Sequence, residues 1–395
     1  MLEELKDVKI KKHTVTSIEY DCKTEEKEDE VFDQVHNIVT NHLDDFAKIT
    51  FDVEADHKVK VVKTSWTILK MVFFLFLYSF DNYIFDTMST RKICGYYNMI
   101  IKKITSKQDG LKLEIAIMEC KNPKGIVQFS HGMAEHNERY FDFMRYLNDR
   151  GYVCVIHDHR GHGSSVKSKN DYGYFYTENA DYIVEDLFQV TGYVREMYPG
   201  LEVTLFSHSM GTLVARCYLK KYDAYIDQLI LCGPPTENSG ASLGLALAKI
   251  IKPFYKEKKG NGLLNKMAFA GYEPGNRWLS KCVENVEQYE ADELCGFLFT
   301  TNGFINLFQL MIKAFDKKGW NVTNENLHIF MIAGQEDPVI QGKDKFEQLK
   351  QFLMGVGYKN VFSKLYPTLK HEILNEKENQ MIYEDIYEFI KSAKD

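Results

Sequence analysis

At 395 residues, with 45% hydrophobic and 13% aromatic residues and only eight prolines, the chain can bury a large core and does not have the composition of a disordered protein. Its net charge of −7 is concentrated at the start, where sixteen acidic residues face ten lysines over 1–63; the nearly neutral remainder argues against nucleic acid as a partner. Eight cysteines without a C-x-x-C pair, three of them (Cys154, Cys217, Cys232) inside apolar runs, argue against a disulfide scaffold and fit a reduced, cytoplasmic protein.

The opening MLEELKDVKIKK has no apolar core of the kind a signal peptide needs. Residues 1–63 read as strand, helix, strand: a loose alternation through Val8, Ile10, Val15 and Ile18, helical spacing of Phe32, Val35, Val39, Leu43 and Phe46, and alternation again over Ile49–Glu54. Trp66–Phe85 follows, apolar on every helical face between Met71 and Leu77. A membrane span needs roughly 20 predominantly apolar residues. Lys70 and Asp81 leave only ten between charges, so burial against the chain is expected. Peripheral membrane contact through 66–85 is the alternative. Residues 1–95 are therefore expected to form a small α+β extension, dispensable for any chemistry downstream.

Residues 96–395 read differently. Met99–Thr105 and Leu111–Met118 flank Asp109-Gly110, a hairpin signal. Strand-like runs recur at Gly125–Ser130, Val153–His157, Val203–Phe206, Leu229–Cys232, Ile329–Ala333 and Val361–Tyr366. Amphipathic helices fit between them at Arg139–Leu147, Ala180–Met197 and Thr212–Tyr222. Strands alternating with helices predict an α/β fold with a mostly parallel central sheet and helices on both faces. About 234–318 interrupts the alternation with helical sequence, as an inserted cap would.

The chemistry gathers at strand ends. Val203-Thr-Leu-Phe runs into Ser207-His-Ser-Met-Gly211 and then a helical period. A nucleophile elbow needs this strand, sharp turn and helix, with very small residues two places either side of the nucleophile. Ser209 is the candidate nucleophile; Gly211 meets the size demand, and Ser207 stands where glycine is usual. The strand Gly125–Ser130 ends in His131-Gly132-Met133-Ala134-Glu135-His136. Acyl transfer needs two N–H donors for the developing oxyanion, and the backbones of Met133 and Met210 are expected to supply them.

Asp337 follows the run Ile329–Ala333, and His371 follows the last strand. Serine, acid and histidine in that chain order make a triad, with Glu336 as the rival acid. His157-Asp158-His159-Arg160-Gly161-His162-Gly163 offers metal-ligand residue types, but no second cluster completes a set, so a structural loop beside the site is expected. Neither a metal nor an organic cofactor is required.

HGMAEHNERY, DHRGHGSS, SHSMGT, GQEDPV and HEILNE, in this order and spacing, resemble the monoacylglycerol lipase and lysophospholipase branch of the α/β-hydrolases, often grouped with serine aminopeptidases. The stretch Asp292–Thr300 is similar to that branch as well, and the likeness covers about 100–395. It implies an apolar channel under the cap and a lipid ester substrate. Leu243–Ile251 and Phe304–Ile312 are the apolar runs expected to line that channel, and the cap is a second candidate for membrane contact. A peptidase or amidase on the same triad is the alternative, and a catalytically silent binding protein a further one.

Overall fold

The computed structural model describes four strands in the first hundred residues and then the continuous stretch 99–392. The chain divides into two compact units, Met1–Ile101 and Lys102–Asp395. In the first, β1 (Lys9–His13), β2 (Ser17–Asp21), β3 (Ile49–Glu54) and β4 (Lys58–Lys63) form an antiparallel sheet in the order β1-β2-β4-β3. The run expected as one strand over Val8–Ile18 is two paired strands, and β4 was not anticipated. The helical spacing of Phe32–Phe46 and the apolar Trp66–Phe85 lie outside the described residues.

The larger sheet has eight strands: β5 (Met99–Thr105), β6 (Lys112–Met118), β7 (Gly125–Ser130), β8 (Tyr152–His157), β9 (Val203–His208), β10 (Gln228–Cys232), β11 (His328–Gly334) and β12 (Asn360–Tyr366). Their order is β12-β11-β10-β9-β7-β8-β6-β5. From β8 to β12 every pairing is parallel, and β6 runs antiparallel to β8. Residues of β7, β8, β9 and β10 are buried throughout, which is why these strands read as unbroken apolar runs: helices cover both faces of a parallel sheet.

Among the described residues the helices are α1 (Phe141–Asn148), α2 (Asp181–Met197), α3 (Met210–Tyr222), α4 (Ala241–Ile251), α5 (Gly262–Ala268), α6 (Val283–Ala291), α7 (Thr301–Phe315), α8 (Lys343–Val356) and α9 (Asn379–Ser392). Four of them, α4 to α7, lie between β10 and β11, where the sequence interrupts its alternation. Thr300 caps α7 by accepting the Gly303 N–H at 3.1 Å. The first turn of α7 is tied to the core by Asn302, whose side chain accepts from Phe175 N–H and donates to the Thr177 carbonyl. Among the described residues no helix is long and apolar enough to cross a membrane.

Candidate active site

The parallel strands end on one edge of the sheet, where loops cannot continue the ladder and are free to present side chains. Between β9 and α3 the chain turns in one residue. Ser209 takes φ 50° and ψ −119°, a strained left-handed conformation, and its N–H donates to the Cys232 carbonyl at 3.0 Å. A Cβ at Gly211 would stand 2.1 Å from the Ser130 carbonyl oxygen, so only glycine lets α3 start this close to the end of β7. Ser207, the departure from the usual glycine, is fully buried and donates its hydroxyl to the Ile230 carbonyl at 2.8 Å.

Asp337 and His371 come together from the ends of β11 and β12. The carboxylate accepts from His371 Nδ1 at 2.8 Å and from the Val339 N–H at 2.8 Å, and both side chains are buried. With Nδ1 donating, Nε2 is left as the acceptor. Glu336 is exposed, and its N–H donates to Leu369. Gly233, at the end of β10 with φ +55°, clears the space beside the pair: a Cβ there would lie 3.0 Å from two atoms of the imidazole and 3.3 Å from the Asp337 carboxylate. The indole of Trp278, from the cap segment, lies over the imidazole with ring centroids 5.2 Å apart.

Ser209, His371, Met133 and Met210 all line one cavity of about 350 Å³. Met210 is the first residue of α3, so its N–H has no partner within the helix. Leu213, Leu307, Phe308 and Met311 form one apolar wall, and Phe269, Tyr272, Trp278 and Leu279 form another. The run Phe304–Ile312 thus contributes to the cavity as expected. Leu243–Ile251 does not: α4 buries its small residues Ala241, Gly244 and Ala248 against the protein, while Leu243 and Ile250 are 70% and 68% exposed. The apolar run sits on the outer surface of the cap.

The His157–Gly163 loop is held by internal contacts. Asp158 accepts from the Asn137 and Ser164 N–H groups, Arg160 pairs with Asp186 and Asp109, and His159 contacts Ser130. His131 accepts the His159 N–H on Nε2 at 2.9 Å and meets the Gly132 carbonyl through Nδ1 at 2.8 Å, which fixes its tautomer as Nδ1–H. Burial drives its pKa well below the usual histidine value, helped by the neighbouring His162, so the ring stays neutral. Among the described residues, His136, Asp292 and Cys295 are the donors that come within reach of a single ion, and a hydrogen bond of 2.8 Å already joins the first two.

Residues that the motif reading did not single out surround the site. Glu135, Arg139, His208 and Glu372 form a buried charged group against Ser209 and His371. All four lie inside the motifs quoted above, next to the residues given roles, so adjacency was the available signal. Trp278 had none.

A parallel-sheet hydrolase core, a strained serine turn and a buried acid–histidine pair define an α/β-hydrolase. The family model described as serine aminopeptidase, S33 (Hydrolase_4) matches residues 121–378, and the chain belongs to that family. A monoacylglycerol lipase of Mycolicibacterium smegmatis is 24% identical over 271 residues, which cover 69% of this chain and 89% of that protein. The human monoglyceride lipase is 31% identical over 132 residues, 33% of this chain and 42% of that enzyme. Among solved structures, a thermostable carboxyl esterase from Bacillus coagulans, in complex with glycerol, superposes with a TM-score of 0.67 at 25% identity, covering 75% of this chain and 98% of its own.

Proposed function

We propose that this carboxylic ester hydrolase cleaves esters of apolar acyl chains, of the monoacylglycerol or lysophospholipid kind, through an acyl-enzyme on Ser209. The observation that carries the reading is the buried Asp337–His371 pair, whose histidine lines one apolar-walled cavity with the strained Ser209 turn. His371 Nε2 takes the Ser209 proton as Oγ attacks the ester carbonyl. Asp337 holds the imidazole with Nδ1–H toward it and stabilises the imidazolium that forms. The negative charge that develops on the carbonyl oxygen is received by the N–H groups of Met133 and Met210. Collapse expels the alcohol, which His371 protonates. A water deprotonated by His371 then attacks the acyl-enzyme and releases the acid. The apolar walls at Leu213, Phe308 and Met311 support a long acyl chain as the bound group, since each buried CH₂ contributes about 0.8 kcal/mol.

The test is an ester panel of graded acyl length beside fluorophosphonate labelling. Catalytic efficiency is expected to rise with chain length until the cavity is full, and Ser209→Ala is expected to abolish both turnover and labelling. A flat profile from acetyl to long-chain esters, or preference for peptide amides, would overturn the substrate class. Undiminished labelling of Ser209→Ala would overturn the nucleophile.

A further inference from the structure

Two carboxylates, a guanidinium and an imidazole are gathered beside the catalytic set, and the mechanism above uses none of them. Glu135 is 3% exposed, Glu372 4% and His208 6%. A buried carboxylate is costly unless every lone pair finds a donor, so the partners of these groups show what they hold in place.

Glu135 Oε1 accepts from three places at once: the Gly132 N–H of the oxyanion loop, the Tyr140 hydroxyl at 2.8 Å, and His208 Nδ1 at 3.2 Å. Its other oxygen meets Arg139 at 3.3 Å. Gly132 admits this arrangement because it has no side chain: a Cβ there would lie 2.5 Å from the Glu135 oxygen and 3.1 Å from Ser209 Cβ. Arg139 grips Glu372, the residue after His371, with both terminal nitrogens, at 2.5 and 2.7 Å. Asn285 of α6 closes the group from the cap by donating to Glu372 at 2.7 Å.

His208 is the informative member. Its Nδ1 faces a carboxylate and its Nε2 faces the His371 backbone carbonyl at 3.4 Å. Both partners are acceptors only, so a proton on each ring nitrogen satisfies both contacts, and the facing carboxylate favours this imidazolium form. Two cations then balance two anions in a group that borders the same cavity as Ser209 and His371.

We propose that Glu135 is a positioning residue for the ester hydrolysis assigned above: its carboxylate fixes the oxyanion loop against the serine turn and, through His208 and Arg139, against the histidine loop. The inference rests on the catalytic roles of Ser209 and His371. Its physical content is that an N–H donor works only when it is aimed before the charge develops. Glu135 anchors the His131–Gly132 peptide through its N–H, and His131 Nδ1–H holds the carbonyl of the next peptide, Gly132–Met133, so the Met133 N–H is aimed from an anchored Gly132.

The test compares Glu135→Gln and Glu135→Asp with the full-length enzyme on a short soluble ester and with a trifluoromethyl ketone. The ketone takes Ser209 Oγ onto its carbonyl carbon; the hydroxyl proton passes to His371 Nε2, and the resulting alkoxide needs the oxyanion donors. Glu135→Gln is expected to lower kcat about 10- to 100-fold with KM within about threefold, and to weaken the ketone by the same factor as kcat/KM. Glu135→Asp, which keeps the charge but withdraws it by one methylene, should fall between. A residue that only stabilises the fold would leave both readouts unchanged in the folded fraction. The inference is overturned if kcat and ketone affinity of folded Glu135→Gln match the wild type, or if KM alone changes. Should Glu135→Gln not fold, the Glu135→Asp comparison decides on the same two readouts. The earlier reading fails separately, through a Ser209→Ala enzyme that still turns over ester.

Discussion

The Ser207 hydroxyl reaches across from β9 to the Ile230 carbonyl of β10 at 2.8 Å, inside the sheet and two residues before the candidate nucleophile. The turn therefore does not demand glycine at this position. It demands a side chain small enough to stay between the strands and able to satisfy its own polar atom. Ser207→Gly is expected to cost about 1 kcal/mol of stability, the net value of one hydrogen bond, and to leave fluorophosphonate labelling near wild type. Ser207→Val should fail to label, since its branched carbons have no room between buried strands. Thermal unfolding and labelling of purified variants check both.

Gly233→Ala should disturb the acid–histidine pair directly. The added Cβ would stand 3.0 Å from His371 Nδ1 and Cε1, in a backbone conformation that L-residues avoid. The imidazole must move, and its hydrogen bond to Asp337 moves with it. A displacement on the order of 1 Å at a general base costs about 100-fold in rate. Steady-state kinetics should show the loss in kcat, with a smaller change in KM for a long-chain ester, because Leu213, Phe308 and Met311 stand on α3 and α7 rather than on β10.

Acyl selectivity should follow the inner face of the cap and ignore its outer one. Met311→Ala or Phe308→Ala enlarges the cavity wall and is expected to move the optimum toward longer or bulkier acyl chains. Leu243→Ser and Ile250→Ser change exposed side chains and should leave the chain-length profile of soluble substrates where it was. The measurement is kcat/KM across the ester panel. A shifted optimum in the α4 variants would mean that this helix reaches the channel in the working enzyme.

The strands of the large sheet were legible because the central ones are covered on both faces. IVQF, VCVI, VTLF, LILC and IFMIA leave no polar side to mistake, and each ends beside a residue type with chemistry to offer. The edges were harder: β4, Lys-Val-Lys-Val-Val-Lys, alternates but is half lysine and did not register as a strand. The outer cap helix was misread for a related reason. Apolar content along Leu243–Ile251 does not say which face is buried, and there Gly244 and Ala248 are inside while Leu243 and Ile250 are outside. Glu135, Arg139 and Glu372 escaped notice because charged residues in a loop read as solvated surface. Only the folded chain brings together Arg139 and Glu372, which are 233 positions apart.

The Glu135–His208 pair should leave a signature in the pH dependence of stability. Burial by itself would raise the Glu135 pKa, but the hydrogen bond and charge of His208, with Arg139, hold it below the ordinary value of 4.5. Burial would lower His208, and the Glu135 hydrogen bond and charge instead raise it above 6.5, with Glu372 contributing. The other groups that face the pair are Tyr140, the His371 carbonyl and imidazole, and the neutral His131. A carboxylate whose folded pKa is depressed stabilises above 4.5 and loses that contribution as pH falls through the folded value. A histidine whose folded pKa is raised stabilises fully below 6.5 and loses its contribution as pH rises through the folded value. Both contributions are complete only between 4.5 and 6.5. The stability gap between wild type and Glu135→Gln should accordingly be widest in that window and narrow on both sides. Urea unfolding from pH 4 to pH 9 measures it. A gap that stays constant across the range would mean that Glu135 and His208 are not both charged in the folded protein.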